Sequence, residues 1–170
     1  METVNQTTGK DVLLPDDTIE AFRAKAADTP HPRELIVDLL RAIQDHHGWV
    51  PDAGIELAAQ TLGLSPLQLE EIATFYDKIY RQPVGRKVIH LCDSICCWTT
   101  GGEQVAELLR DKLGIGFGET TPDGVFTLLP TCCLGACGDA PAMMIGLTTY
   151  GRLTAEKIDT ILREIRQQID

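Results

Sequence analysis

Through the first half of the chain apolar residues recur at helical spacing only. From Asp17 or Thr18 the run TIEAFRAKAAD sets Ile19, Phe22 and Ala26 on one side, which predicts a short amphipathic helix stopped before Pro30. PRELIVDLLRAIQDHH spaces Leu35, Leu39, Leu40 and Ile43 for a second helix ending at Gly48, and DAGIELAAQTLG predicts a third closed by Gly63. SPLQLEEIATFYDKIY carries a start signature. Ser65 can cap it, Pro66 suits the first helical position, and Glu70 and Glu71 lie near the positive end of the dipole. Leu69, Ile72, Phe75 and Tyr76 would form its core face. Short helices joined by tight links predict a small bundle over 18–82, behind a loose tail at 1–17.

The pattern changes at QPVGRK, residues 82–87, where Pro83 and Gly85 interrupt the helical spacing. Beyond it, VIHLC (88–92), VFTLLP (125–130) and AMMIG (142–146) read as strands. GEQVAELLRDKLG (102–114), with Val105, Leu108, Leu109 and Leu113 inward, and TAEKIDTILREIRQQI (154–169) read as helices. Thr154 would cap the last one without the reciprocal partner of a capping box. An Asp-Gly turn in TPDGV leads into the middle strand. The order β-α-β-β-α has the outline of a thioredoxin-like domain over 83–170. The fold class expected is therefore α+β, a helical bundle followed by a thioredoxin-like α/β domain. In such domains the proline before the third strand is often cis, which here selects Pro141.

Composition narrows the function. Of 170 residues, 44% are apolar and 24% charged, an ordinary balance for a globular protein. The formal net charge of −10 opposes a nucleic-acid binder. VPDAGIELAAQTLGLSPLQLEEIATFY has helix-turn-helix spacing, but residues 52–80 set Asp52, Glu56, Glu70, Glu71 and Asp77 against Lys78 alone, so packing is the better reading. No apolar run approaches the ~18–20 residues that span a bilayer, and the start lacks a signal pattern, which predicts a cytoplasmic protein. GIGFGET at 114–120 has glycines but no following helix to hold a phosphate, so no NADH or flavin site is expected here.

All six cysteines fall in CDSICCW (92–98) and TCCLGAC (131–137). In a reducing compartment such clusters hold metal more readily than disulfides form. Both are expected on loops, facing each other at one end of the sheet. Four thiolates suit zinc or an iron–sulfur cluster, and spacing alone does not exclude zinc. A binuclear [2Fe–2S] cluster needs two ligands on each iron, and two segments with two cysteines each meet that need. No C-x-x-C occurs, which disfavours a dithiol enzyme. The first segment offers Cys92 with Cys96 or Cys97, the second Cys137 with Cys133 or Cys132, and the odd cysteine of each doublet reads as a small buried apolar residue. Thr99 to Gly102 lead into the helix at 103–113, whose positive end would face the first loop, while Gly135 and Gly138 would let backbone approach sulfur. His46, His47 and His90 read as surface or core residues and not as ligands.

CDSICCW, TTPDGVFTLLPTCCLGACGDAPAMMI and LGLSPLQLEEIATFYDKIYRQPVGRKVI closely resemble the small [2Fe–2S] subunits (E subunits) of the NADH-oxidising module of bacterial respiratory complex I. The resemblance runs from about residue 30 to the C-terminus and implies the same division into helical bundle and thioredoxin-like ferredoxin domain. It implies Cys92, Cys97, Cys133 and Cys137 as cluster ligands, leaves Cys132 as the doublet partner found in relatives, and gives no role to Cys96. It further implies electron exchange with the FMN of a larger NADH-binding subunit that also holds a [4Fe–4S] cluster, within a membrane-bound complex at the cytoplasmic face of the inner membrane. Equivalent subunits of NAD-dependent formate dehydrogenases and hydrogenases fit the same residues. A zinc-stabilised interaction module is the alternative from another class.

Overall fold

A computed structural model describes residues 12–169. The chain divides into two compact units between Pro83 and Val84.

In the first unit, α1 (Asp16–Asp28) is followed by a 3-10 turn (Pro32–Leu35) that runs into α2 (Ile36–His47), then by α3 (Asp52–Leu62) and α4 (Pro66–Phe75). The periodicity of α2 is that of its burial, since Ile36, Leu39, Leu40 and Ile43 are fully enclosed. Around them lie Ile19 and Phe22 of α1, Ile55, Ala58 and Leu62 of α3, and Leu69 and Ala73 of α4. Ser65 caps α4 more fully than its sequence suggested: its hydroxyl accepts from the Gln68 N–H while the Gln68 side chain accepts from the Ser65 N–H, closing a capping box.

The sequence predicts that this last helix continues to Tyr80 with Phe75 and Tyr76 in the core. Instead α4 stops at Phe75, which is 80% exposed, and Tyr76 turns into extended backbone. The cause is tertiary. Gln44 of α2 donates to the Lys78 carbonyl at 2.9 Å and accepts from the Tyr80 N–H at 2.6 Å, and the Tyr80 carbonyl accepts from the Val50 N–H at 2.8 Å. These bonds satisfy backbone groups that helix would otherwise pair. Arg81 completes the anchor, with its guanidinium on the Val50 carbonyl and on the Asp52 and Glu70 carboxylates, and Ile79 enters the core in place of the aromatics.

The second unit is a sheet in the order β2-β1-β3-β4. Strand β1 (Lys87–Cys92) pairs in parallel with β2 (Phe126–Thr131) and antiparallel with β3 (Met143–Ile145). A parallel pair needs a crossover, supplied by a short helix α5 (Ile95–Cys97), a π-helical turn (Trp98–Gly102) and α6 (Glu103–Leu113). Helix α7 (Ala155–Gln167) adds Ile158, Ile161 and Ile165 to the same core as Leu109 of α6 and Ile89, Phe126, Leu128 and Met143 of the strands. The structure adds β4 (Thr148–Tyr150), which the sequence reading omits. All its residues are at least partly exposed, so no alternation of buried positions marks it. The helix–sheet outline agrees with the thioredoxin-like expectation. The Ala140–Pro141 bond is cis, as that reading anticipates.

Two outcomes test this packing. Replacing Gln44 by Ala leaves the Tyr80 N–H and Lys78 carbonyl without their partner and should cost the first unit about 1–3 kcal/mol in denaturant unfolding. In the second unit, Asp123 is held down to about 2 by the Thr121 hydroxyl, then by the Val125 N–H and Arg166. A depressed carboxylate stabilises the fold above its unfolded pKa of ~3.9 and loses that contribution as pH falls through its folded value. The difference in melting temperature between wild type and Asp123→Asn should therefore be constant at neutral pH and close as pH falls from ~4 toward ~2.

Candidate metal centre

Parallel pairing sets Cys92 opposite Thr131. Both cysteine segments thus leave adjacent strands at one end of the sheet. The Asp93 N–H donates to the Thr131 carbonyl at 3.0 Å, and the Cys92 N–H to the Ala142 carbonyl at 3.1 Å, which brings the approach to β3 to the same end.

The second segment is a loop carrying Cys132 and Cys133, and Cys137 opens a 3-10 turn (Cys137–Asp139). The first is not the loop that the sequence suggests. Cys96 and Cys97 lie on helical backbone that begins at Ile95, and the turn after it breaks at Thr100 and Gly101, whose backbone is not helical, before α6 begins. Hydroxyls wind this turn: Thr99 donates to the Ile95 carbonyl at 2.9 Å and Thr100 to the Cys96 carbonyl at 2.7 Å. Gly102 permits it, because a Cβ there would lie 2.7 Å from the Cys97 carbonyl oxygen.

Cys92 and Cys97 are buried beside Ala142, with Leu134, Ala136 and Ala140 packed round them. Cys133 and Cys137 are exposed, their sulfurs 3.5 Å apart. Cys96 is half-buried and Cys132 exposed, so only the first of these spares approaches the expected inert, enclosed thiol. Backbone amides point at sulfur from both segments. The Gly135 N–H lies 3.4 Å from the Cys133 sulfur. The amides of Ser94 and Leu134 favour charge on Cys92, and that of Ala142 favours it on Cys97. Leu134 of the second segment packs against Cys92 and Cys97 of the first.

Burial opposes charge on both enclosed thiols, but the balance differs. At Cys92 the Ser94 and Leu134 amides, with the Cys97 thiol and Ser94 hydroxyl, outweigh burial and lower the pKa. At Cys97 burial prevails, reinforced by the bond to Cys92 and by the charges of Cys92 and Cys137 against the Ala142 amide, and the pKa is pushed up to about 11. Cys97 thus senses sulfur from both segments.

Soft thiolates with aligned N–H donors suit a metal–sulfur group of net negative charge. Among the described residues no group of three or more His, Cys, Asp or Glu side chains is drawn together round one point. The Cys133 and Cys137 sulfurs stand 3.5 Å apart, and Cys92 and Cys97 share one buried cluster. His46 and His47 close α2 in the other unit, and His90 sits in the sheet opposite Leu129 and Met144. The sequence reading missed the donors Ser94, Leu134 and Ala142. Their contribution is backbone N–H, which side-chain identity does not mark.

Known proteins agree with this chemistry. Residues 22–166 match the family described as thioredoxin-like [2Fe-2S] ferredoxin. The E subunit of NADH-quinone oxidoreductase from Pseudomonas aeruginosa is 45% identical over 131 residues, which cover 77% of this chain and 79% of that one. Its counterpart from Escherichia coli K12 is 46% identical over 157 residues, 86% of this chain and 95% of its own. A crystal structure of an NAD+-reducing [NiFe]-hydrogenase in the H2-reduced state superposes with a TM-score of 0.65 at 26% identity, over 78% of this chain and 22% of that much longer one. The chain belongs to the thioredoxin-like [2Fe-2S] ferredoxin family.

Proposed function

We propose that this chain is the small electron-carrier subunit of the NADH-oxidising module of respiratory complex I, exchanging electrons with the FMN of a partner subunit. The reading rests on one observation above all: the two cysteine segments leave adjacent parallel strands level at one end of the sheet, with Leu134 of the second packed against the buried Cys92 and Cys97 of the first. Cys92 with Cys97 would serve one iron, and Cys133 with Cys137 the other. A [2Fe–2S] cluster so held supplies one-electron storage without a proton or a covalent intermediate. The amides of Ser94, Leu134, Gly135 and Ala142 stabilise negative charge at sulfur. Burial of one pair keeps water off that side, and exposure of the other leaves an edge open to a redox partner. The names of the relatives support the complex I assignment, and the hydrogenase likeness keeps an NAD-linked hydrogenase as the second host. No helix among the described residues is long and apolar enough to cross a membrane, so attachment at the cytoplasmic face of the inner membrane would come through partner subunits.

Among the described residues of the helical unit no cluster of metal-binding side chains occurs. Leu67 and Phe75 at the two ends of α4 are largely exposed apolar side chains, with Tyr76 stacked edge-on to Phe75. We assign this surface to docking on the flavin subunit, and the cysteine end to electron exchange with its flavin.

Replacing Cys92, Cys97, Cys133 or Cys137 by Ala should abolish or badly weaken the reducible visible chromophore, because one iron loses a thiolate. Cys96→Ala and Cys132→Ala should keep it. A normal spectrum in Cys97→Ala with loss in Cys96→Ala would reverse the choice within that doublet. For docking, Phe75→Glu in the full chain should weaken co-purification with the flavin subunit by roughly tenfold or more while leaving the chromophore intact. Undiminished binding would remove α4 from the interface.

A further inference from the structure

One residue at the cysteine end stands in a conformation that its side chain does not favour. Arg152 follows β4 and has φ +48, and it is the non-glycine residue with positive φ among those described. A glycine would take this backbone without strain, so the turn alone does not call for an arginine. The side chain has a defined destination: its guanidinium lies 2.7 Å from a carboxylate oxygen of Asp139, the residue that ends the 3-10 turn begun by Cys137. Backbone reinforces the contact. The Arg152 N–H donates to the Asp139 carbonyl at 2.5 Å, and the Leu153 N–H to the Pro141 carbonyl at 3.2 Å. Between them Gly151 lies so close that a Cβ would meet the Asp139 Cβ at 2.5 Å. The Lys157 ammonium donates to the Gly151 carbonyl from α7, fixing the far side of the same segment.

We propose that Arg152 is a positioning residue for the cysteine end: it clasps the Cys137–Asp139 turn and, by neutralising Asp139, sets the reduction potential of the cluster. The inference rests on Cys137 being a ligand. An exposed ion pair contributes little to stability, so the consequence lies in charge balance. Reduction adds one negative charge at the sulfurs, and a carboxylate two residues from Cys137 opposes it unless a cation stands beside that carboxylate. The pair is neutral as a unit, and each half removed alone leaves a charge of opposite sign.

That sign is the test. Arg152→Gly keeps the backbone turn and leaves the Asp139 charge unbalanced, so the midpoint potential should fall. Asp139→Asn keeps the side-chain shape and leaves the cation, so the potential should rise. Each shift should correspond to roughly a two- to tenfold change in the reduction equilibrium, ~18 to ~59 mV for one electron, and shrink at high salt. The double variant and Arg152→Lys should both return toward wild type. In the metal-free chain, hydrogen exchange at the Arg152 and Leu153 amides should quicken in Arg152→Gly and be largely restored in Arg152→Lys. Unchanged potentials in both single variants, or shifts of the same sign, overturn the electrostatic role, and unaltered exchange overturns the clasp. The ligand reading fails separately, by an intact chromophore in Cys137→Ala.

Discussion

The register between β1 and β2 is the constraint on which the metal end depends. Because the two strands are parallel, both chains leave the sheet at the same end, and because Cys92 stands opposite Thr131, the two cysteine segments leave level with each other. A slip of one residue would turn every side chain of β1 to the other face and move Cys92 out of the pocket it shares with Cys97 and Ala142. The register is strongly specified because β1 is buried from Val88 to Cys92, with Ile89 and Leu91 in the core under α6 and α7. Packing energy in the middle of the sheet thus determines sulfur geometry at its edge.

The second level of control is backbone hydrogen bonding. Cys92 is charged more readily than its burial would allow because amides from both segments face it. Such donors cost no side-chain entropy to order and tolerate sequence change, provided that the turns keep their shape. Those turns are fixed by hydroxyls on carbonyls at Thr99 and Thr100, by the close approach at Gly102, and by the Arg152–Asp139 contact behind Cys137. The small side chains Ala136, Ala140 and Ala142 leave room for sulfur where larger ones would fill the pocket.

Much of this was legible in the chain itself. The helices of the first unit were readable wherever burial follows the 3.6-residue period, most clearly at Leu39 to Ile43, although Ile36 and not Leu35 fills the core one turn earlier, and their ends at Gly48, Gly63 and Ser65 followed from capping chemistry. The reading failed where distant residues overrode local pattern. Tyr76 to Tyr80 has helix-compatible apolar spacing, but Gln44 and Val50 capture its backbone polar groups. Strand β4 has no buried face to announce it, and the helical turns that begin at Ile95 depend on threonine hydroxyls and one missing Cβ, which composition does not distinguish from a loop. At the cysteines, spacing narrowed the metal group but left two doublets open. The resemblance to respiratory subunits chose between their members, and the burial of Cys97 against the half-exposure of Cys96 is consistent with that choice.

The central claim is that two thiolate pairs, one enclosed and one exposed, each serve one iron. Mössbauer spectroscopy of 57Fe-enriched protein, with iron, labile sulfide and zinc quantified on the same sample, addresses it directly. Two pairs predict roughly two irons and two sulfides per chain, no stoichiometric zinc, and two tetrahedral sulfur-ligated iron sites that become inequivalent when one electron is added. One metal site per chain, or stoichiometric zinc with no labile sulfide, would contradict it.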